Sequence, residues 1–122
     1  MSVEVVNEKP TMAEQADIHK LYEESVQNVE YEVEFVKNTF QTIRGYVPYL
    51  LREDFCGTAS LSCEWVKQGE KYEAVGVDID PSVLKWGIQN RLGKLSSVDQ
   101  ARVKLIESDV LQAETPRVDI LV

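Results

Sequence analysis

The sequence predicts an α/β fold built on an open parallel sheet, and three observations predict it. Short apolar runs over residues 46–51, 72–79, 102–107 and 118–122 read as strands. Segments with helical apolar spacing separate the first three of them. Acids and small residues mark the carboxyl ends of the first three runs, where a parallel sheet turns into its next connection.

Each element follows from local chemistry. Residues 1–11 are polar, contain Pro10 and show no amphipathic period, so they read as an extended or disordered arm. From Ala13 to Gly45, Ile18, Leu21, Tyr22 and Val26 recur at helical spacing, as do Val29, Val33, Val36 and Phe40. This pattern predicts two helices meeting near Asn28, with Glu23, Glu24, Glu30, Glu32 and Glu34 on a solvated face. The chain therefore divides into an amino-terminal arm and helical region, 1–45, and a sheet domain, 46–122. After the first strand, residues 57–59 lead into a helix closed by Gly69. The second strand ends at Asp78 and Ile79; Asp80 then suits an N-cap and Pro81 the first helical turn. Leu84, Ile88, Leu92 and Leu95 form the apolar stripe expected to face the sheet. The third strand breaks at Ser108, Asp109 and Val110.

The stretch from Arg52 to Leu61 carries the strongest chemical signal. A strand, a turn of small residues and a helix start form the usual seat of a nucleotide-like cofactor, because bare backbone permits close approach. Glu53 and Asp54 would repel a pyrophosphate. They suit a ligand bearing an ammonium or sulfonium group beside adenosine, which describes S-adenosyl-L-methionine. Asp78 lies near the spacing of about twenty residues at which an acid on the next strand reaches ribose hydroxyls. Asp109 can accept from an adenine amino group while the Val110 N–H donates to a ring nitrogen. Ligands in such sheets lie outside the carboxyl ends of the strands, so Glu53, Asp78 and Asp109 are expected in one crevice.

These segments, together with Leu21, Tyr22 and Glu23, resemble the class I S-adenosylmethionine-dependent methyltransferases, within them a bacterial group without a firmly assigned substrate. The resemblance implies a Rossmann-like methyltransferase fold with strand order 3-2-1-4 and two amino-terminal helices. It also implies that Glu53 and the loop of Phe55, Gly57 and Ala59 contact the methionine portion, Asp78 and Ile79 the ribose and adenine, and Asp109 and Val110 the base. In the family pattern an acid is followed by three alternating glycines. Here Phe55 and Ala59 replace the outer two. The amino-terminal helices are expected to cover the cleft as a lid, with Tyr22 or Tyr31 near the methionine portion. Because the family's sheet is larger than this chain of 122 residues allows, the sequence reads as the amino-terminal, cofactor-binding part of a methyltransferase, inactive alone. The implied reaction is direct displacement onto a small-molecule or protein acceptor, with no catalytic residue assigned.

Composition narrows the partners. A net charge of −8 and the absence of a Lys/Arg cluster argue against a nucleic-acid acceptor. Cys56 and Cys63 lack a metal-ligand set, and no signal or transmembrane segment is visible, so reduced thiols and a cytoplasmic location are expected. Cys56 as a nucleophile would need a base, and His19 is the single histidine, on a separate helix. Trp65 and Trp86 are expected to pack on the sheet. The apolar fourth strand offers an edge for self-association. Two other classes remain: a non-catalytic cofactor-binding or interaction fragment, and an NAD-dependent oxidoreductase domain. The latter lacks its G-x-G-x-x-G fingerprint here.

Overall fold

The computed structural model describes the backbone of residues 12–122 and the side chains from residue 28 onward. The expected polar arm over 1–11 and the side chains of Ile18, His19, Leu21, Tyr22, Glu23, Glu24 and Val26 lie outside the described residues.

Helix α1 (Met12–Arg44) is one continuous helix of 33 residues, where the sequence pattern predicted two. Asn28 is a weak helix former, but no proline or glycine interrupts α1, and a penalty of a few tenths of a kcal/mol does not break a helix held by packing. The helix stops at Gly45, whose positive φ of 78° lets its N–H return to the Gln41 carbonyl at 2.8 Å. Val33 is buried, with Val29 and Val36 packed against the core beside it. This stripe lies on helix α2 (Ser60–Val66).

Strand β1 (Leu50–Asp54) begins four residues later than the apolar pattern suggested. Pro48 has no N–H to give a ladder, so residues 46–49 form an irregular approach in which only Pro48 is buried, rather than a strand. There Tyr46 packs edge-on against Phe40, and the Tyr49 carbonyl accepts from Trp65 Nε1 at 3.1 Å. Strand β2 (Glu73–Asp78), strand β3 (Val103–Glu107) and strand β4 (Ile120–Leu121) complete a four-stranded sheet in the order β3-β2-β1-β4. All pairings are parallel.

Register assigns the two faces. Leu51, Ala74 and Val103 stand in one row and join the core with Leu61, Trp65 and Val66 of α2. Five of the seven residues of α2 are buried, because α1 covers its outer side. Arg102 closes the end of this helix: Nη1 donates to the carbonyls of Val66 at 2.7 Å, Tyr72 at 2.9 Å and Gly69, while Nη2 meets Asp99. That aspartate belongs to the short helix α4 (Ser97–Gln100).

Helix α3 (Pro81–Asn90) opens as expected, with Asp80 Oδ1 accepting from the N–H groups of Ser82 at 2.9 Å and Val83 at 3.4 Å. Its stripe is narrower than predicted. Leu84 and Leu95 are buried, but Ile88 is 47% exposed; the helix ends at Asn90 and a separate 3-10 turn (Leu92–Lys94) carries the chain back to Leu95. Trp86 is also exposed and sits under the Arg91 guanidinium at 5.5 Å, unlike the buried Trp65.

The opposite face of the sheet has no helix among the described residues. Residues 108–119, joining β3 to β4, cross it as turns and extended chain. Arg52 projects to this side, next to Val75 and Leu121 in register.

Candidate cofactor crevice

The acid pair read from the sequence is divided by the strand itself. Neighbouring residues of β1 point to opposite faces, so Glu53 turns toward α2 and Asp54 toward Arg52. Glu53 Oε1 accepts from the Ser62 hydroxyl at 2.8 Å and the Ser62 N–H at 3.2 Å. Asp54 instead pairs with Arg52 Nε at 2.7 Å. Burial pushes the Glu53 carboxyl up from 4.5 to about 7; the Ser62 bonds pull it down, and Glu32 on α1 adds to the rise.

The turn that follows keeps the conformation of three glycines with only one glycine present. Phe55, Gly57 and Ala59 have φ of 54°, 58° and 62°, so each outer position pays the left-handed penalty that glycine avoids. Between them, Cys56 N–H donates to the Val77 carbonyl at 2.9 Å, and Ala59 N–H to Cys56 O at 2.9 Å. The Cys56 thiol is buried against Gly76, and burial first, then Glu53 and Asp78, push it up to about 12. Cys63 is pushed up to about 11, again chiefly by burial. Both are free, buried thiols whose raised pKa keeps them in the neutral form.

Asp78 organises the loop. Its Oδ2 accepts from Gly57 N–H at 2.9 Å and its Oδ1 from Asp80 N–H at 2.9 Å, so the ends of β1 and β2 are tied through one carboxylate. Asp80 alone serves as the helix cap. Helix α3 also presses on the loop: a Cβ built on Gly87 would lie 2.4 Å from Thr58 O.

Ile79 and Phe55 stand 68% and 77% exposed at the rim of these strand ends. Asp109 sits past β3 in a tight turn: its Oδ1 accepts from Leu111 N–H at 2.9 Å, and its carbonyl from Gln112 and Ala113 at 3.0 Å. The Val110 carbonyl accepts from Arg52 Nη2 at 2.7 Å. Hydrogen bonds thus link Glu53 to α2 and Asp78 to the loop, while Asp109 and Val110 are held from the other face of the sheet. Arg52, Ser62 and Gly87 are the positions that sequence reasoning passed over. A cation in an apolar strand was the available signal for Arg52, since a buried guanidinium must find acceptors.

Helix α1 packs on α2 and reaches the neighbourhood of Glu53. Glu32 is close enough to Glu53 to raise its pKa. Tyr31 lies instead on an outer side, stacked on Phe35 at 6.4 Å, where the two border a cavity of about 200 Å³ with Glu34, Asn38 and Thr39. Among the described residues no group of three His, Cys, Asp or Glu side chains could hold a metal ion. Nor is any described helix long and apolar enough to cross a membrane.

No family model matches the chain, and no curated protein does. Solved structures do. The plantazolicin methyltransferase BpumL in complex with SAH superposes with a TM-score of 0.64 at 14% identity, over 91% of this chain and 41% of that one. The glycopeptide N-methyltransferase MtfA complexed with sinefungin gives 0.55 at 21% identity, over 70% and 33%. The methyltransferase domain of bacterial CtHen1-CN gives 0.54 at 18% identity, over 68% and 42%. The chain therefore has the Rossmann-like methyltransferase fold and spans less than half the length of these similar structures.

Proposed function

We propose that this chain binds S-adenosyl-L-methionine and forms the cofactor-binding part of a methyltransferase whose acceptor is a small molecule or a protein. The observation that carries the reading is the loop of three left-handed residues between Glu53 and Asp78, at the carboxyl ends of the strands of this fold. The donor set fits the ligand. An acid lies under the loop for a cationic group, the bare Gly57 permits backbone approach, and the Phe55 and Ile79 side chains offer apolar surface to an adenosine.

In this reading Glu53 and the loop hold the methionine portion, Asp78 and Ile79 the ribose and adenine, and Asp109 and Val110 the base. When bound, the cofactor supplies an electrophilic methyl group open to in-line attack by an acceptor nucleophile. The chain's contribution is orientation and charge. The exposed strand edge supports self-association, the net charge of −8 supports an acceptor other than nucleic acid, and two buried free thiols support a cytoplasmic location.

Calorimetric titration with S-adenosylmethionine, S-adenosylhomocysteine and NAD tests the assignment. The methionine-derived ligands should bind and NAD should not. Tighter binding of NAD than of either one overturns it.

A further inference from the structure

Arg52 connects two regions that the sequence keeps far apart. Its side chain is 13% exposed, and four hydrogen bonds spread from one guanidinium. Nε donates to Asp54 Oδ1 at 2.7 Å, which fixes the plane of the group. Nη1 donates to Ala113 O at 3.3 Å and Thr115 Oγ1 at 3.2 Å, and Nη2 to Val110 O at 2.7 Å. Three of the four partners lie in the connection between β3 and β4, on the sheet face away from α2.

At its two ends the connection is tied to the sheet, by Ser108 N–H on the Asp78 carbonyl at 3.0 Å and by Asp119 N–H on the Leu50 carbonyl at 2.9 Å, and between those ends little besides Arg52 places it. It contains no helix, and Leu111 is 91% exposed with Gln112 and Glu114 also in solvent, so apolar burial does not anchor the turn. The Val110 carbonyl and the Leu111 N–H belong to the same peptide group. Arg52 grips its oxygen, and Asp109 Oδ1 accepts from its nitrogen at 2.9 Å. One peptide plane is thus clamped between a guanidinium from β1 and the very carboxylate assigned to the base. The clamp engages Oδ1 and sets the direction of Oδ2.

We propose that Arg52 is the positioning residue for adenine recognition, holding the peptide after Val110 so that Asp109 and the Val110 N–H face the base. The proposal rests on the cofactor reading above. It concerns discrimination at the base rather than affinity for the methionine end, and this separates it from a role in stability alone.

The test compares S-adenosylhomocysteine with S-inosylhomocysteine, in which a carbonyl replaces the adenine amino group, by calorimetry. Wild-type protein should prefer the adenine compound by about tenfold or more, since a donor is lost at a site built to accept it. Arg52→Met should bring the two affinities to within about threefold of each other, and Arg52→Lys, which keeps the charge without the fork, should fall between. Arg102→Met removes an equally buried guanidinium at the opposite strand ends and should leave the preference intact. A folded Arg52→Met protein that keeps the full preference overturns the proposal. If that variant does not fold, Arg52→Lys decides by the same criterion. Wild-type protein that binds the adenine compound without preferring it also overturns the proposal, whereas failure to bind either compound overturns the cofactor reading itself.

Discussion

At the scale of single residues, Phe55 shows how a loop can retain a glycine's backbone without the glycine. Its φ of 54° is strained for a side chain, and the ring is 77% exposed, so packing returns little. Phe55→Gly should therefore hold or raise stability, while Phe55→Val should lower it by about 1–2 kcal/mol, because a β-branched residue is least tolerated at positive φ. Equal denaturation midpoints for the two variants would contradict the left-handed assignment. Glu53 makes a prediction in pH. Its carboxyl titrates near 4.5 when unfolded and about 7 when folded, so between these values the folded chain holds a proton that the unfolded chain has lost. Stability should fall as pH rises across this window, by at most on the order of 3 kcal/mol, and then level off. Glu53→Gln should flatten the slope in urea denaturation measured from pH 4.5 to 7.5. The same substitution should weaken binding of S-adenosylmethionine, since it removes the charge that the cationic portion would meet. A slope that survives Glu53→Gln would place the titration on another group.

At the scale of elements, the contact between α3 and the loop is the tightest in the site. Gly87→Ala would drive a methyl to 2.4 Å from Thr58 O, where the neighbour is backbone and cannot swing aside. The expected cost is about 1–3 kcal/mol by thermal or chemical denaturation, against the slight gain that alanine brings to an unconstrained helix. Stabilisation by this variant would mean that α3 stands off the loop. The elements also show what the sequence made legible. Strand β2 and the cap of α3 were readable because Ala74, Val75 and Val77 are buried on both faces and Asp80 satisfies the helix start locally. Strand β1 was read four residues early, because the continuous apolar run outweighed Pro48, whose missing ladder donor was a signal already present in the sequence. The break expected at Asn28 did not occur, because packing of Val29, Val33 and Val36 is a tertiary effect that no propensity at one residue reports. In the site, the order of the acids along the chain was visible. The separation of Glu53 from Asp54 followed from strand alternation and could have been drawn, whereas the reach of Arg52 to Val110 depends on the path of a connection with no periodic signal of its own.

At the scale of the molecule, the sheet ends on β4, which pairs with β1 and has no further strand beside it among the described residues. Leu121 and Val122 are 59% and 42% exposed there. An apolar, uncharged edge invites pairing with another chain. Sedimentation velocity should show concentration-dependent association at neutral pH, and Leu121→Lys should reduce it; a monomer at every concentration for the unmodified chain would show that the edge is protected. The close fit of Gly87 on Thr58 has an optical consequence. Trp86 is the neighbouring residue, partly open to water and lying against a guanidinium, an environment in which indole emission responds to small displacements. Trp65, by contrast, is sealed between α2 and the sheet and should emit as a constant background. A ligand that shifts the loop should move α3 with it, so Trp86 emission is expected to change on titration while Trp65 stays constant, and the loop can be followed without a dye or label.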